Sequence, residues 1–214
     1  MKLQLALDCN LSLESAKELA RVTEDSVEIL EAGTPFIYEW GMEGVRMLKE
    51  AFPQKTVVAD LKIADAGYLE AELAFRMGAD IITVLGVTED ATIVNALMAA
   101  RSYGKKVMVD MMAVKDLRAR LKEIDSMGVD YICLHTSKDL QKLGQDVSQA
   151  FDSLKGMITR ARLVLAGGIS RENIEKYAAI HPDVIVVGEG ITAQKDSGAA
   201  AAGIRRIMDQ NERR

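Results

Sequence analysis

Cysteine is scarce: only Cys9 and Cys133 occur in 214 residues. They are too few and too far apart for a disulfide framework or a thiolate zinc site. Each lies in or beside an apolar run, the setting of a small buried residue. A basic excess is also missing. Lys and Arg number 27 against 32 Asp and Glu, for a net charge of −5, which argues against the basic face of a nucleic-acid or membrane-surface binder. No long run of one sign marks a charged tail. No apolar stretch approaches the roughly 20 residues of a membrane-spanning helix, and the apolar start Met1–Asp8 is too short for a signal peptide. With 49% hydrophobic and 28% charged residues, the chain reads as one soluble domain over residues 1–214, expected in the cytoplasm.

What is present is a rhythm. Short runs rich in Val, Ile, Leu and Ala recur at Leu3–Asp8, Val27–Ala32, Thr56–Lys62, Ile81–Leu85, Val107–Met111, Tyr131–His135, Leu163–Ala166 and Val184–Val187. The intervals suit one helix and two loops each, and stretches such as Ser12–Thr23, Glu89–Tyr103 and Asp116–Met127 are amphipathic. Helix starts are signalled by Ser12 with Glu14 and Ser15, and by Ser170 with Asn173. Gly78–Asp80 and Gly128–Asp130 look alike: a glycine ends a helix, then a strand begins. This alternation, without a linker, predicts a (β/α)8 TIM barrel with a parallel eight-stranded sheet. An open doubly wound sheet would want a glycine-rich loop after the first strand, and Cys9-Asn10-Leu11-Ser12 has no glycine.

Strand side chains alternate faces, so residue parity separates barrel-facing from helix-facing sets. One set groups Gln4, Ala6 and Asp8; Val27, Ile29 and Glu31; Val58, Asp60 and Lys62; Met108 and Asp110; Tyr131, Cys133 and His135. Its polar members mostly stand at the C-terminal strand ends, where this fold builds active sites. A lone carboxylate at a strand end is usually a loop cap. Asp8, Glu31, Asp60, Lys62, Asp110 and His135, converging from five strands, point to chemistry instead. Four carboxylates around one lysine repel each other unless a cation sits among them. Glu31 and Asp60 offer the hard oxygen ligands that suit Mg²⁺, and zinc is disfavoured with only His135 in reach. Lys62 shares the face of Asp60 and is placed to stabilise an oxyanion. His181 precedes strand eight at the opposite end of the barrel and is structural or superficial. Met111 and Met112 read as core filler, and Ala199–Ala202 as a good helix former.

Strands seven and eight close on Ala166-Gly167-Gly168-Ile169 and Val187-Gly188-Glu189-Gly190-Ile191. Glycines in these two loops allow backbone to approach a phosphate closely, which makes Gly167, Gly168, Gly188, Glu189 and Gly190 its expected contacts. Glu189 is an awkward neighbour for a dianion, so its side chain is expected to point away and leave only backbone near the phosphate.

The run Asp60-Leu61-Lys62-Ile63-Ala64-Asp65-Ala66-Gly67 carries Asp-x-Lys-x-x-Asp at the end of strand three, and in it the chain resembles the orotidine-monophosphate-decarboxylase superfamily over essentially its whole length. Gly104–Met111, Asp130–Thr136 and Val186–Thr192 are most similar to the branch that joins formaldehyde to a pentulose phosphate. The resemblance implies an aldehyde lyase of aldolase type. It would condense formaldehyde with D-ribulose 5-phosphate, reversibly, through an enediolate stabilised by Mg²⁺ on Glu31 and Asp60. Lys62 would meet the oxyanion, His135 would transfer a proton, and Asp8 and Asp110 would hold hydroxyls or orient Lys62. Asp65 would act in the neighbouring subunit's site, across a homodimer interface.

A neighbouring branch decarboxylates 3-keto-L-gulonate 6-phosphate with the same metal and enediolate. It typically carries Glu where this chain has Asp110, His-Arg-Ser-Arg-Asp where this chain has His135-Thr136-Ser137-Lys138-Asp139, and an arginine after strand eight. The pyrimidine decarboxylase has lysine in place of Glu31. A ribulose-phosphate epimerase would need two strand-end histidines, and a non-catalytic phosphosugar binder leaves the Asp60–Lys62–Asp65 set unexplained. Lys138 and Glu189 depart from the aldolase pattern, which has an uncharged or aromatic residue and a glycine there.

Overall fold

The computed structural model describes residues 1–8, 10–143, 151, 153–154 and 156–212, so Cys9 lies outside the described residues. Strands β1 (Lys2–Leu7), β2 (Ile29–Ala32), β3 (Thr56–Ile63), β4 (Ile81–Leu85), β5 (Lys106–Asp110), β6 (Tyr131–His135), β7 (Arg162–Ala166) and β8 (Val184–Val187) form a closed barrel in chain order. Every pairing is parallel, and β8 returns to β1. The rhythm of apolar runs therefore maps onto the barrel strand for strand. Helices α1 (Leu13–Thr23), α2 (Thr34–Trp40), α3 (Met42–Ala51), α4 (Gly67–Arg76), α5 (Asp90–Tyr103), α6 (Leu117–Ser126), α7 (Lys138–Lys142), α8 (Ile174–Ala178), α9 (Glu189–Thr192) and α10 (Ser197–Glu212) occupy the connections and the C-terminal segment. None of the described helices is long and apolar enough to cross a membrane.

The two periodicities make two cores. Leu3, Leu5, Leu7, Val57 and Ala59 face outward and pack under the helices. Ile29, Val58, Ile81, Met108, Tyr131, Cys133, Val164 and Val184 fill the barrel itself. Val27 departs from its expected place. A 3₁₀ turn at Glu24–Ser26 delays β2 until Ile29, and Val27 joins the outer core, with its carbonyl accepting from Lys55 Nζ at 2.8 Å.

Gly78 and Gly128 end their helices at positive φ, 97° and 80°, the left-handed conformation that glycine adopts without penalty. The aspartate that follows each has a definite task. Asp80 Oδ2 accepts from Val57 N at 2.9 Å, and Asp130 Oδ2 accepts from Val107 N at 3.0 Å. Glu28 does the same for Leu3 N, and Asp183 for Leu163 N. An acid placed just before each even strand thus satisfies an amide near the start of the preceding odd strand.

Asp125, near the end of α6, is buried and pins the approach to β7. It accepts from Thr159 N, Thr159 Oγ1, Arg160 N and Ala161 N at 2.8 to 3.1 Å. Burial pushes its carboxyl up, but the backbone amides outweigh burial and hold it below the usual range. Asp80 is likewise lowered against burial, by Lys105, Lys49 and Val57 N. Asp125→Ala leaves several donors unmatched, and urea unfolding should show a loss of about 3 kcal/mol. A folded-state carboxyl below its unfolded value adds stability above that unfolded value, so both contributions should fade as pH falls below about 4.

Candidate active site

A cavity of about 710 Å³ opens at the C-terminal end of the barrel, and Asp8, Glu31, Asp60, Lys62, Asp110 and His135 all line it. The convergence read from parity holds. One local irregularity sharpens it: the β3–β4 register shifts between Ala59 and Ile63, and Lys62 sits at φ 49°. A non-glycine residue there is uncommon and is tolerated where the surroundings hold it. Lys62 N donates to Thr83 Oγ1 at 2.9 Å. Its ammonium hydrogen-bonds to Asp60 Oδ2, lies 3.1 Å from Thr34 Oγ1 and stands 3.9 Å from Asp110 Oδ2.

Asp60 is buried and fully engaged. Thr83 Oγ1 donates to Oδ1 at 2.7 Å, and Thr34 Oγ1 lies 2.9 Å from Oδ2. Burial pushes this carboxyl up, but Lys62 and the two hydroxyls hold it below the ordinary range. Lys62 shows the converse: burial opposes its charge, while Asp60 and Asp110 keep the ammonium protonated far above neutrality. Asp110 Oδ2 lies 2.8 Å from His135 Nδ1, and its Oδ1 accepts from Met112 N at 2.9 Å. Asp110 thus joins the lysine to the histidine.

Glu31 is held by an amide and not by a cation: Gln4 Nε2 donates to its Oε2 at 2.5 Å. Burial, then repulsion from Asp60 and Asp8, pushes its carboxyl up to about 8. Asp8 is raised by burial and by Asp60. These oxygen-only donors crowd more negative charge than Lys62 neutralises, which suits a hard divalent cation. Gln4 Oε1, buried nearby, has no hydrogen-bond partner among the described residues. Among the described residues no group of three or more His, Cys, Asp or Glu side chains forms a metal cage. A cation held by Glu31 and Asp60 would therefore complete its shell with water or substrate oxygens, as Mg²⁺ commonly does.

With its folded value raised above the unfolded one, Glu31 stays protonated in the metal-free folded chain where the unfolded chain has released the proton. The fold then loses stability as pH climbs from about 4.5 to about 8. Glu31→Gln removes that loss. At pH 8 with EDTA it should stabilise the chain by roughly 1–3 kcal/mol in urea unfolding, while an unchanged or lowered midpoint would contradict the assigned crowding.

The opposite side of the cavity carries Gly167, Gly168, Gly188, Glu189 and Gly190. Gly167 has φ 102°, and a Cβ there would lie 2.2 Å from Thr136 O. At Gly190 a Cβ would lie 2.4 Å from Ile169 O. Only glycine lets these adjacent loops touch. Glu189 is exposed, but its side chain is not idle: Oε1 accepts from Lys138 Nζ at 2.6 Å. Asp65 is exposed, accepts from Ala66 N at 2.7 Å and does not line its own barrel's cavity. His181 is exposed ahead of β8. Met111 is core, but Met112 lines the cavity and is not filler. Cys133 is buried in the inner core, where burial raises its thiol well above the ordinary range. Thr34 and Thr83, which hold Asp60, carried no signal of their own, and Gln4 was placed on the right face without a role.

The geometry has counterparts. Residues 1–204 match the orotidine 5'-phosphate decarboxylase / HUMPS family. A 3-hexulose-6-phosphate synthase of Bacillus subtilis (strain 168) is 43% identical over 210 residues, spanning 98% of this chain and 100% of that protein. One from Staphylococcus aureus (strain MSSA476) is 42% identical over 209 residues, spanning 98% and 99%. The crystal structure of 3-hexulose-6-phosphate synthase from Salmonella typhimurium superposes with a TM-score of 0.95 at 40% identity, covering 99% of this chain and 100% of that one. KGPDC from Streptococcus mutans superposes at 0.90 with 26% identity, covering 98% and 97%. With a family match over nearly the whole length and near-complete relatives above 40% identity, the chain belongs to the orotidine 5'-phosphate decarboxylase / HUMPS family.

Proposed function

We propose that the chain is a 3-hexulose-6-phosphate synthase, an aldolase-type lyase that condenses formaldehyde with D-ribulose 5-phosphate, reversibly. The observation that carries this reading is the Asp60–Lys62–Asp110–His135 chain on one side of a cavity whose other side is built of glycine loops. The relatives' name, 3-hexulose-6-phosphate synthase, supports the reading.

The C1 proton beside a ketone is weakly acidic, so the enediolate left by its removal needs electrostatic stabilisation. Lys62, kept protonated by Asp60 and Asp110, is a donor and not a base, and its ammonium meets the developing oxyanion. Mg²⁺ on Glu31 and Asp60 would supply Lewis-acid polarisation of the ketone. Asp110 engages Nδ1 of His135 and leaves Nε2 to move a proton at C1 or at the formaldehyde oxygen. Asp8, beside Gly188 at the other end of the cavity, holds a substrate hydroxyl. The loops at Gly167–Gly168 and Gly188–Gly190 take the phosphate.

The reading includes a homodimer in the cytoplasm, with Asp65 completing the neighbouring subunit's site. Supporting the pairing, α4 exposes Leu69 and Leu73, Met77 follows it, and α5 exposes Val94 and Met98, an apolar set of the kind that marks an interface. The enediolate is tested by proton NMR of D-ribulose 5-phosphate in D₂O, without formaldehyde. Enzyme- and Mg²⁺-dependent loss of the C1 proton signal is expected; a folded enzyme that leaves C1 unexchanged contradicts the mechanism.

A further inference from the structure

We propose that Lys138 and Glu189 form a latch that the substrate's phosphate opens: Lys138 exchanges its carboxylate partner for the phosphate dianion, and Glu189 swings to solvent. The inference rests on the phosphate reading above and adds its cation and a competitor for that cation.

Lys138 stands just after β6 and Glu189 just after β8, so their contact spans the mouth above the Gly167–Gly168 loop of β7. Among the described lining residues, the lysines and arginines are Lys62 and Lys138 alone. Lys62 is committed to Asp60 and Asp110. Lys138 is therefore the strong cation within reach of a dianion at this end of the cavity, where the described lining holds no arginine. Asp139, also on the lining, has Lys142 at 3.6 Å.

The Lys138 and Glu189 side chains are 58% and 68% exposed. Such a pair contributes little to stability, and its members exchange partners readily. A phosphate carries more charge than a carboxylate and offers three acceptor oxygens, so it competes well for the ammonium. Without the exchange Glu189 would repel the incoming dianion. With it, the Lys138–Glu189 pair carries no net charge when the site is empty, and the released ammonium favours a doubly charged group over a singly charged one.

Calorimetric titration with inorganic phosphate, combined with its competition against D-ribulose 5-phosphate, tests the latch on the full chain. Wild type should bind phosphate competitively with the sugar phosphate. Lys138→Met should weaken Kd about tenfold, the scale of one charge-assisted hydrogen bond. Lys138→Arg should stay within about threefold, and Glu189→Gln should tighten Kd at least about threefold by removing the competitor. Both sites are exposed, and circular dichroism verifies folding. Phosphate binding unmoved by Lys138→Met, or weakened or unmoved by Glu189→Gln, overturns the latch alone. Wild type without competitive phosphate binding overturns the phosphate reading, and the latch with it.

Discussion

Lys62→Ala is expected to lower kcat by roughly 10³-fold or more, while inorganic phosphate affinity stays within about threefold. Removing one preorganised donor from an oxyanion costs about 10²–10³ in kcat, and this donor also carries the cavity's central charge. The effect falls on the transition state because the oxyanion is absent from the ground-state ketone. Phosphate binding is spared because the glycine loops stand on other strands, β7 and β8. Lys62 adopts φ 49°, which alanine tolerates poorly. Lys62→Asn, better suited to that backbone, is the control and should be equally inactive. Steady-state kinetics with phosphate titration read both quantities; activity within tenfold of wild type in either folded variant would remove Lys62 from the chemistry.

Asp60→Asn is expected to cost a comparable factor, about 10²–10³ in kcat, and excess Mg²⁺ should not restore it. The carboxylate is buried and accepts from Lys62, Thr34 and Thr83. Asparagine keeps its shape but loses the charge and must turn one amide edge toward a donor. The substitution then acts twice. It deletes one of the two oxygen ligands proposed for Mg²⁺, which should raise the Mg²⁺ concentration needed for half-maximal activity. It also leaves Lys62 with Asp110 at 3.9 Å as its remaining close carboxylate, so the ammonium loses its positioning contact. Full rescue at high Mg²⁺ would show that Asp60 serves the cation alone.

Period-two parity read the barrel mouth well, because a closed parallel sheet leaves each strand one inward face. Gln4, Glu31, Asp60, Asp110 and His135 all came out on it. What parity missed has identifiable causes. The β3 irregularity is invisible because Asp60-Leu61-Lys62 reads as an ordinary strand end. Thr83 sits inward in Ile81–Leu85, where a threonine is also simply a good strand former, and Thr34 lies just past β2, beyond any strand periodicity. The Asp110–His135 bond crosses strands whose register sets Asp110 opposite Cys133; sharing a face shows proximity but not partnership. At the lower rim, the twin Gly-x-Asp segments announced a helix end, but that Asp80 and Asp130 cap strand amides depends on neighbouring strands and is not local information. Asp65 gave the opposite case: the motif named it, and its own barrel leaves it outside the cavity.

The proposed reaction joins formaldehyde to a pentulose phosphate in this cavity. Its most direct test is formaldehyde consumption by the purified protein with D-ribulose 5-phosphate, with Mg²⁺ and again after EDTA. Loss of formaldehyde that needs both the sugar phosphate and Mg²⁺ is the predicted result. A folded, Mg²⁺-replete protein that consumes none would contradict it, and would direct the same lysine and carboxylates to decarboxylation of a keto-acid sugar phosphate.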